Sequence, residues 1–270
     1  MKSMAAINIR HFETAVNSLQ EYNRVIDLGW RALFRSGGGI LPSRKCTVGI
    51  CLVMGSDQGM CGQFNESLLG YVLEQLPKTN VDTVQMEYWC VGDRIRAGLE
   101  DIGVRIDETF LLPGSLSGIN NQVQEIVQTF EARQQKKGCR FLIVFYNQMG
   151  KGGWYQAKLK QLLPLDTRWS EKYRDLKWPN RCLPLLGLPS DFLFGCLFRY
   201  YLFASLYQAF AQSMASENVA RLRSMQAAEK NIIELNETLQ ARFRETRQSI
   251  ITAELLDIIS GFEAVSSNWM

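Results

Sequence analysis

VARLRSMQAAEKNIIELNETLQARF, residues 219–243, carries apolar or small side chains at Val219, Leu222, Met225, Ala228, Ile232, Leu235, Leu239 and Phe243. Thr246 interrupts the row and Ile250 resumes it, so nine steps cover 31 residues, a mean spacing near 3.4. That is closer to the coiled-coil value of about 3.5 than to the straight-helix value of about 3.6, and it predicts a left-handed supercoil. The row sits in a longer window, 190–262, that contains no proline and only two glycines, Gly195 and Gly261. A helix through that window has about 70 residues and runs roughly 105 Å. The remaining residues make a domain only roughly 35 to 40 Å across. Such a helix cannot bury itself against its own domain and has to protrude. Because helices owe most of their stability to packing, it also needs a partner along its length. The expectation is a shaft or a strut.

The other end of the chain repeats the signal. Ala5, Ile9, Phe12, Val16, Leu19, Tyr22, Ile26, Trp30 and Leu33 make eight steps over 28 residues, a mean of 3.5. The first proline is Pro42. Two coiled-coil stripes at opposite ends of one chain can pair, so the stripe before Phe243 is expected to lie against residues 1–33. The competing reading, two ordinary core helices, fits poorly with their length, since globular helices usually run about 8 to 20 residues.

Composition excludes several classes. The net charge of +3 gives no global sign of a nucleic-acid partner. No apolar run reaches membrane-spanning length; Phe192 to Ala211 comes nearest but contains Arg199, and reads as a helix root buried by its own domain. The amphipathic start reads as a helix of the mature fold, not a signal peptide. Cys46, Cys51, Cys61, Cys90, Cys139, Cys182 and Cys196 show no CxxC spacing, which fits reduced, buried thiols and no zinc site. The only histidine is His11, in the first helix.

Between the helices the pattern changes. Runs at 47–54, 85–91 and 140–146 are short, apolar and rich in β-branched or aromatic residues; 104–112 is weaker and 181–186 a possible fifth. Helical stretches at 66–76, 93–99 and 118–135 separate them. Near-continuous apolar strands alternating with helices predict an α/β domain, doubly wound with a mainly parallel sheet, flanked by N- and C-terminal long helices that form an antiparallel coiled coil. The expected domains are 1–44 (N-terminal coiled-coil helix), 45–189 (Rossmann-like domain) and 190–270 (C-terminal coiled-coil helix). Gly37-Gly38-Gly39 reads as the turn leading into the sheet.

The loop after the first strand is Gly55-Ser-Asp-Gln-Gly-Met-Cys-Gly-Gln-Phe-Asn65. A glycine-rich strand-to-helix turn is where doubly wound folds bind dinucleotides. Its glycines, at 55, 59 and 62, do not make GxGxxG, and no GK[ST] follows. No cofactor is expected; the glycines instead let the backbone approach a neighbour closely. Cys61 has no histidine near it in sequence to activate it as a nucleophile. No catalytic or metal site is expected.

Three motifs, in order along nearly the whole chain, resemble the gamma subunit of F-type ATP synthases. Ser213–Ala228 (SMASENVARLRSMQAA) and Arg247–Gly261 (RQSIITAELLDIISG) are similar to that family's C-terminal helix. Ser56–Asn65 (SDQGMCGQFN) resembles its SDxGLCGxxN loop, at Ser56, Asp57, Gly59, Cys61, Gly62 and Asn65. Lys2-Ser-Met-Ala-Ala6 resembles its first helix, and Met4–Glu13 is more similar to the alternate, N-type bacterial subgroup. The resemblance implies a rotor without a catalytic site or cofactor. Its terminal helices would pair inside the ring of alpha and beta subunits, and its α/β domain would lie near the epsilon subunit and the c-ring. Membrane contact would come only through the complex, at the cytoplasmic face of the bacterial cell membrane. It further implies coupling contacts to beta subunits at Arg247, Gln248, Thr252, Lys2 and Met4. Family members carry further residues before the position of Met1, so a first helix missing its leading turns is expected; 182–190 lacks the family's acidic turn, so the resemblance assigns no epsilon or c-ring contact residues there. The alternatives are a Rossmann-like enzyme that uses the Gly55–Asn65 loop and a free-standing coiled-coil scaffold.

Overall fold

The computed structural model describes residues 2–36, 48–79, 85–139, 141–150, 154–165, 171, 173, 178 and 184–267. They form α1 (Lys2–Arg35), β1 (Val48–Met54), α2 (Phe64–Gln75), β2 (Gln85–Val91), α3 (Asp93–Asp101), β3 (Ile106–Phe110), α4 (Leu116–Lys137), β4 (Phe141–Met149), β5 (Tyr155–Leu163) and α5 (Ser190–Ser267). Two compact units result, Met1–Arg223 and Ser224–Met270.

In the first unit the sheet order is β3-β2-β1-β4-β5. The first four strands are parallel, and β5 runs antiparallel to β4 at the edge. Successive strand residues point to opposite faces, and both faces are covered. Ile50, Leu52, Trp89, Val91, Leu142 and Val144 pack with Ile119, Val123 and Phe130 of α4, Phe12 of α1, and Leu206 and Phe210 of α5. The alternate residues Cys51, Val53, Cys90, Ile143 and Phe145 pack with Leu68 and Val72 of α2 and Ile95 and Leu99 of α3. This is the predicted doubly wound arrangement. Burial on both faces is why these strands read as unbroken apolar runs. Helix α4 stops at Gly138, whose φ of +66° closes the helix in the left-handed conformation glycine adopts without strain.

One strand was not legible. β5 alternates half-buried and exposed positions and carries Lys158 and Lys160, so it lacks the apolar run that marks β1 and β4. The fifth strand expected at 181–186 is absent where it can be seen: 181–183 lie outside the described residues and 184–186 are not a strand. Gly37–Gly39, Cys46 and Cys182 also lie outside them. Cys51, Cys61 and Cys90 are buried free thiols, Cys139 is buried and Cys196 is half-buried.

Helix α1 runs antiparallel to the first part of α5. Trp30 meets Phe194 edge to face at 5.3 Å between ring centres. Gly29 lies so close to Leu197 that a Cβ there would sit 2.6 Å from Leu197 Cδ2. Ile26, Leu33 and Phe34 join Ala204 in the same cluster, while Phe12 reaches Phe210. These contacts with α1 use residues 193–215 of α5; of the expected stripe at 219–243, Val219 is buried but Ile232, Leu235, Leu239 and Phe243 are exposed, which corrects the sequence expectation for that later part. The cause is the anchoring of α1 by large rings at its C-terminal end: Trp30 and Phe34 dock onto the root of α5, and the 34 residues of α1 run out before the row that starts at Ile232. Within the 192–211 run, Leu202, Ala204, Leu206, Ala209, Phe210 and Ala211 are buried while Phe192 and Tyr200 are exposed; among the described residues no helix is long and apolar enough to cross a membrane.

The second unit is helical from 224 to 267. Its predicted stripe is present but uncovered. Ile232, Leu235, Leu239, Phe243, Ile250, Leu255 and Phe262 are all exposed.

Candidate functional site

The crevice beyond the carboxyl ends of the strands is the usual ligand site of doubly wound sheets, at the point where strand order reverses. Here that point lies between β1 and β4. It holds the Gly55–Asn65 loop and one face of α5.

The loop is built from internal hydrogen bonds. The Ser56 amide donates to Asn65 Oδ1 at 3.1 Å, and Asn65 Nδ2 donates back to Ser56 Oγ at 2.8 Å. Ser56 Oγ donates to the Gln58 carbonyl at 3.1 Å. Cys61 Sγ faces the same carbonyl at 3.7 Å. Asp57 Oδ1 accepts the amide of Asp93, the first residue of α3, at 3.0 Å. A carboxylate at a helix N-terminus satisfies an orphan N–H and complements the helix dipole. The Arg94 amide donates to the Ser56 carbonyl at 3.0 Å, so the loop and α3 are tied at two points.

Glycine is required at specific places in this seam. A Cβ on Gly55 would lie 2.3 Å from Ile95 Cβ. Gly92 has φ +102° and its Cβ would strike the Ser56 backbone at 2.8 Å. Gly59 sits under the Arg94 guanidinium and Gly62 has φ +58° in the turn into α2. The expected role of the glycines, close backbone approach, is what the geometry displays.

Helix α5 occupies the crevice itself. Ser213 Oγ donates to the Met54 carbonyl at the end of β1 at 3.3 Å. Ser216 Oγ faces the Asn147 carbonyl of β4 at 3.1 Å and the carbonyl of Gln212 in its own helix at 2.8 Å. Asn147 Nδ2 donates to the Phe64 carbonyl at 3.2 Å. Ala220 packs on Cys61 and Phe64. Glu217, only 4 % exposed, is paired with Arg221. Burial pushes the Glu217 carboxyl above its ordinary range and nearby Asp57 adds to the rise, while Arg221 opposes it. The crevice carries two carboxylates, Asp57 and Glu217.

Cys61 is buried, with its sulfur turned to Ser56, Gln58 and Asn65. His11 is exposed on α1. The two are not assembled as nucleophile and base. The i, i+4 spacing of Glu217 and Arg221 is legible in the sequence, but their burial is not; the Ser213/Ser216 contacts likewise needed the strand ends in place.

The proposed coupling residues lie elsewhere. Arg247 and Gln248 are exposed in the second unit, and Thr252 Oγ1 donates to the Gln248 carbonyl of its own helix at 2.8 Å. Met4 is exposed on α1; the side chain of Lys2 lies outside the described residues.

Asn65→Ala is expected to lower stability by about 1–3 kcal/mol, because the Ser56 amide, fully buried, loses its acceptor. Asn65→Asp keeps that acceptor but loses the donor to Ser56 Oγ and buries a carboxylate, so it should melt no higher than Asn65→Ala. Thermal melting of the three proteins checks the order.

Sheet order, filled crevice and paired terminal helices define an α/β domain clasped by its own ends. The chain belongs to the ATP synthase family, whose model, described as ATP synthase, matches residues 1–265. A relative from Polynucleobacter necessarius subsp. necessarius, named ATP synthase gamma chain, is 25% identical over 272 residues, covering 98% of this chain and 92% of the relative. One of the same name from Nitrosomonas eutropha is 29% identical over 226 residues, 81% of this chain and 74% of the relative. Among solved structures, a chain of the Euglena gracilis mitochondrial ATP synthase (OSCP/F1/c-ring, rotational state 3) superimposes with a TM-score of 0.61 at 16% identity, covering 96% of this chain and 95% of that one. A chain of the Tetrahymena thermophila mitochondrial ATP synthase central stalk and c-ring gives 0.59 at 18%, covering 85% and 97%.

Proposed function

We infer that this chain is the gamma subunit of an F-type ATP synthase, the central rotor shaft that couples ion flow through the c-ring to ATP synthesis or hydrolysis at the beta subunits. The observation that carries this reading is α5: one helix of 78 residues whose second half exposes a row of large apolar side chains from Ile232 to Phe262. An exposed row of that length is unfavourable in water and calls for a sheath. A ring of alpha and beta subunits supplies one.

The shaft is not a catalyst. It acts as a ligand that binds three conformers of one subunit unequally, so each orientation shifts the nucleotide affinity of the beta subunit it faces. Alpha, beta and epsilon subunits and the c-ring are its partners, and the complex holds it at the cytoplasmic face of the bacterial cell membrane. The enzyme alternative needs an open switch-point crevice, and α5 fills that crevice; the scaffold alternative has no use for the sheet.

Copurification tests the assignment. The tagged chain should bring down alpha and beta subunits as a single copy per ring. Recovery of the chain alone, with a nucleotide bound, would favour the enzyme.

Arg247, Gln248, Thr252, Lys2 and Met4 are proposed as contacts to beta subunits. The exposure of Arg247 and Gln248 supports this, since a surface pair can change with little effect on folding, usually below about 0.5 kcal/mol. Arg247→Ala with Gln248→Ala should therefore reduce ATP hydrolysis and ion pumping together in the same membranes while thermal melting stays put. Unchanged rates would reduce these residues to a solvated face.

A further inference from the structure

Four residues of α5, Ser213, Ser216, Ala220 and Arg223, follow 3-4-3 spacing and so share one face of the helix. All four meet the carboxyl edge of the sheet or the segments beyond it. Ser213 and Ser216 reach the Met54 and Asn147 carbonyls, and Ala220 the Cys61–Phe64 pair. The guanidinium carbon of Arg223 lies 4.9 Å from the centre of the Trp154 ring. Trp154 precedes β5, and its carbonyl accepts the Gly150 amide at 2.6 Å, which closes the connection between β4 and β5. Arg223 is the last residue of the first compact unit.

The chemistry along this face changes with position. Ala209, Ala211, Ala215 and Ala220 let the helix approach closely, but apolar packing is non-directional and by itself resists turning of the helix only weakly. Hydrogen bonds are directional. The serines fix the azimuth of α5 at the strand ends. At Arg223 the contact is of another kind, a planar cation over an aromatic face. Trp154 is 69% exposed, so its ring does not serve the core.

Resting on the rotor reading above, we propose that these contacts form a torsional collar, and that Trp154 and Arg223 are positioning residues that hold the rotational setting of α5 where it leaves the sheet. A torque-bearing helix must not turn in its seat, and the Trp154–Arg223 pair is the outermost stop.

The test uses the assembled complex. Alpha and beta subunits are fixed to a surface, the shaft is stalled, and the angular spread of a rod tethered to α2 is recorded. Trp154→Ala and Arg223→Ala should each widen the variance by about twofold, with the double variant no wider than either single, because both remove one contact. Trp154→Phe, which keeps a ring, should restore a narrow spread. A merely structural role would lower the melting temperature and leave the spread of assembled complexes unchanged. Unchanged variance in both single variants overturns the collar, as does a double variant wider than either. Failure of the unaltered chain to enter an alpha–beta complex is a different result; it overturns the rotor reading and the collar with it.

Discussion

Leu235→Pro is expected to abolish ATP-driven ion pumping while Leu235→Ala leaves it near normal. Leu235 is 59% exposed within the helical second unit, so trimming its side chain removes little packing and should change stability by less than about 0.5 kcal/mol. Proline acts on the backbone instead. It deletes the hydrogen bond to the Asn231 carbonyl and its ring collides with that carbonyl, at a cost of about 3 kcal/mol and with a kink in the axis. The position lies well inside a stretch without proline or glycine between Gly195 and Gly261. A kinked shaft cannot present the same surface to each catalytic subunit in turn. The measurement is proton or sodium uptake into membrane vesicles on addition of ATP, with assembly verified by copurified alpha and beta subunits. Normal pumping by assembled proline complexes would show that a straight helix is not required.

Gly55→Val should destabilise the sheet domain more than any surface change, with Gly70→Ala moving the other way. Gly55 follows β1, and its amide donates to the Val91 carbonyl at 2.9 Å. A Cβ there would stand 2.3 Å from Ile95 Cβ and 2.9 Å from Asn65 Oδ1. Neither neighbour can yield: Ile95 is buried in the α3 face of the core, and Asn65 holds the Ser56 amide. Overpacking of a well-packed site costs about 1–3 kcal/mol and occasionally more; with the Asn65 hydrogen bonds displaced as well, about 3 kcal/mol or more is expected. For a unit of this size that is a fall in melting temperature on the order of 10 °C. Gly70, in the middle of α2, has nothing within 4 Å of its added Cβ, so alanine there should stabilise by about 0.5–1 kcal/mol. Equal melting temperatures for Gly55→Val and the unaltered chain would mean that α3 can move away from β1.

Periodicity carried most of the architecture because burial imposes it. Strands covered on both faces must be apolar throughout, which is why β1, β2 and β4 were visible, whereas β5, half-exposed at the edge and bearing Lys158 and Lys160, was not. The stripe of α1 was predicted correctly; of its nine positions only Tyr22 is exposed. The stripe of α5 is equally regular and α5 does pair with α1, yet from Ile232 onward the stripe is exposed. Spacing states that a face is apolar and says nothing about which surface will cover it.

The glycine loop marks the same boundary from the other side. Its composition was enough to rule out both phosphate-binding fingerprints and to place it between a strand and a helix. That Asp57 caps α3, that Asn65 holds Ser56, and that Ser213 and Ser216 fill the crevice could not be read from a string. These contacts join residues separated by 9 to 159 positions. Local preference encodes helix, strand and turn. Contacts between distant residues exist only once the sheet has ordered its strands and brought their carboxyl ends against one helix, so the filled crevice, the burial of Glu217 and the seat of Arg223 on Trp154 belong to the tertiary structure alone.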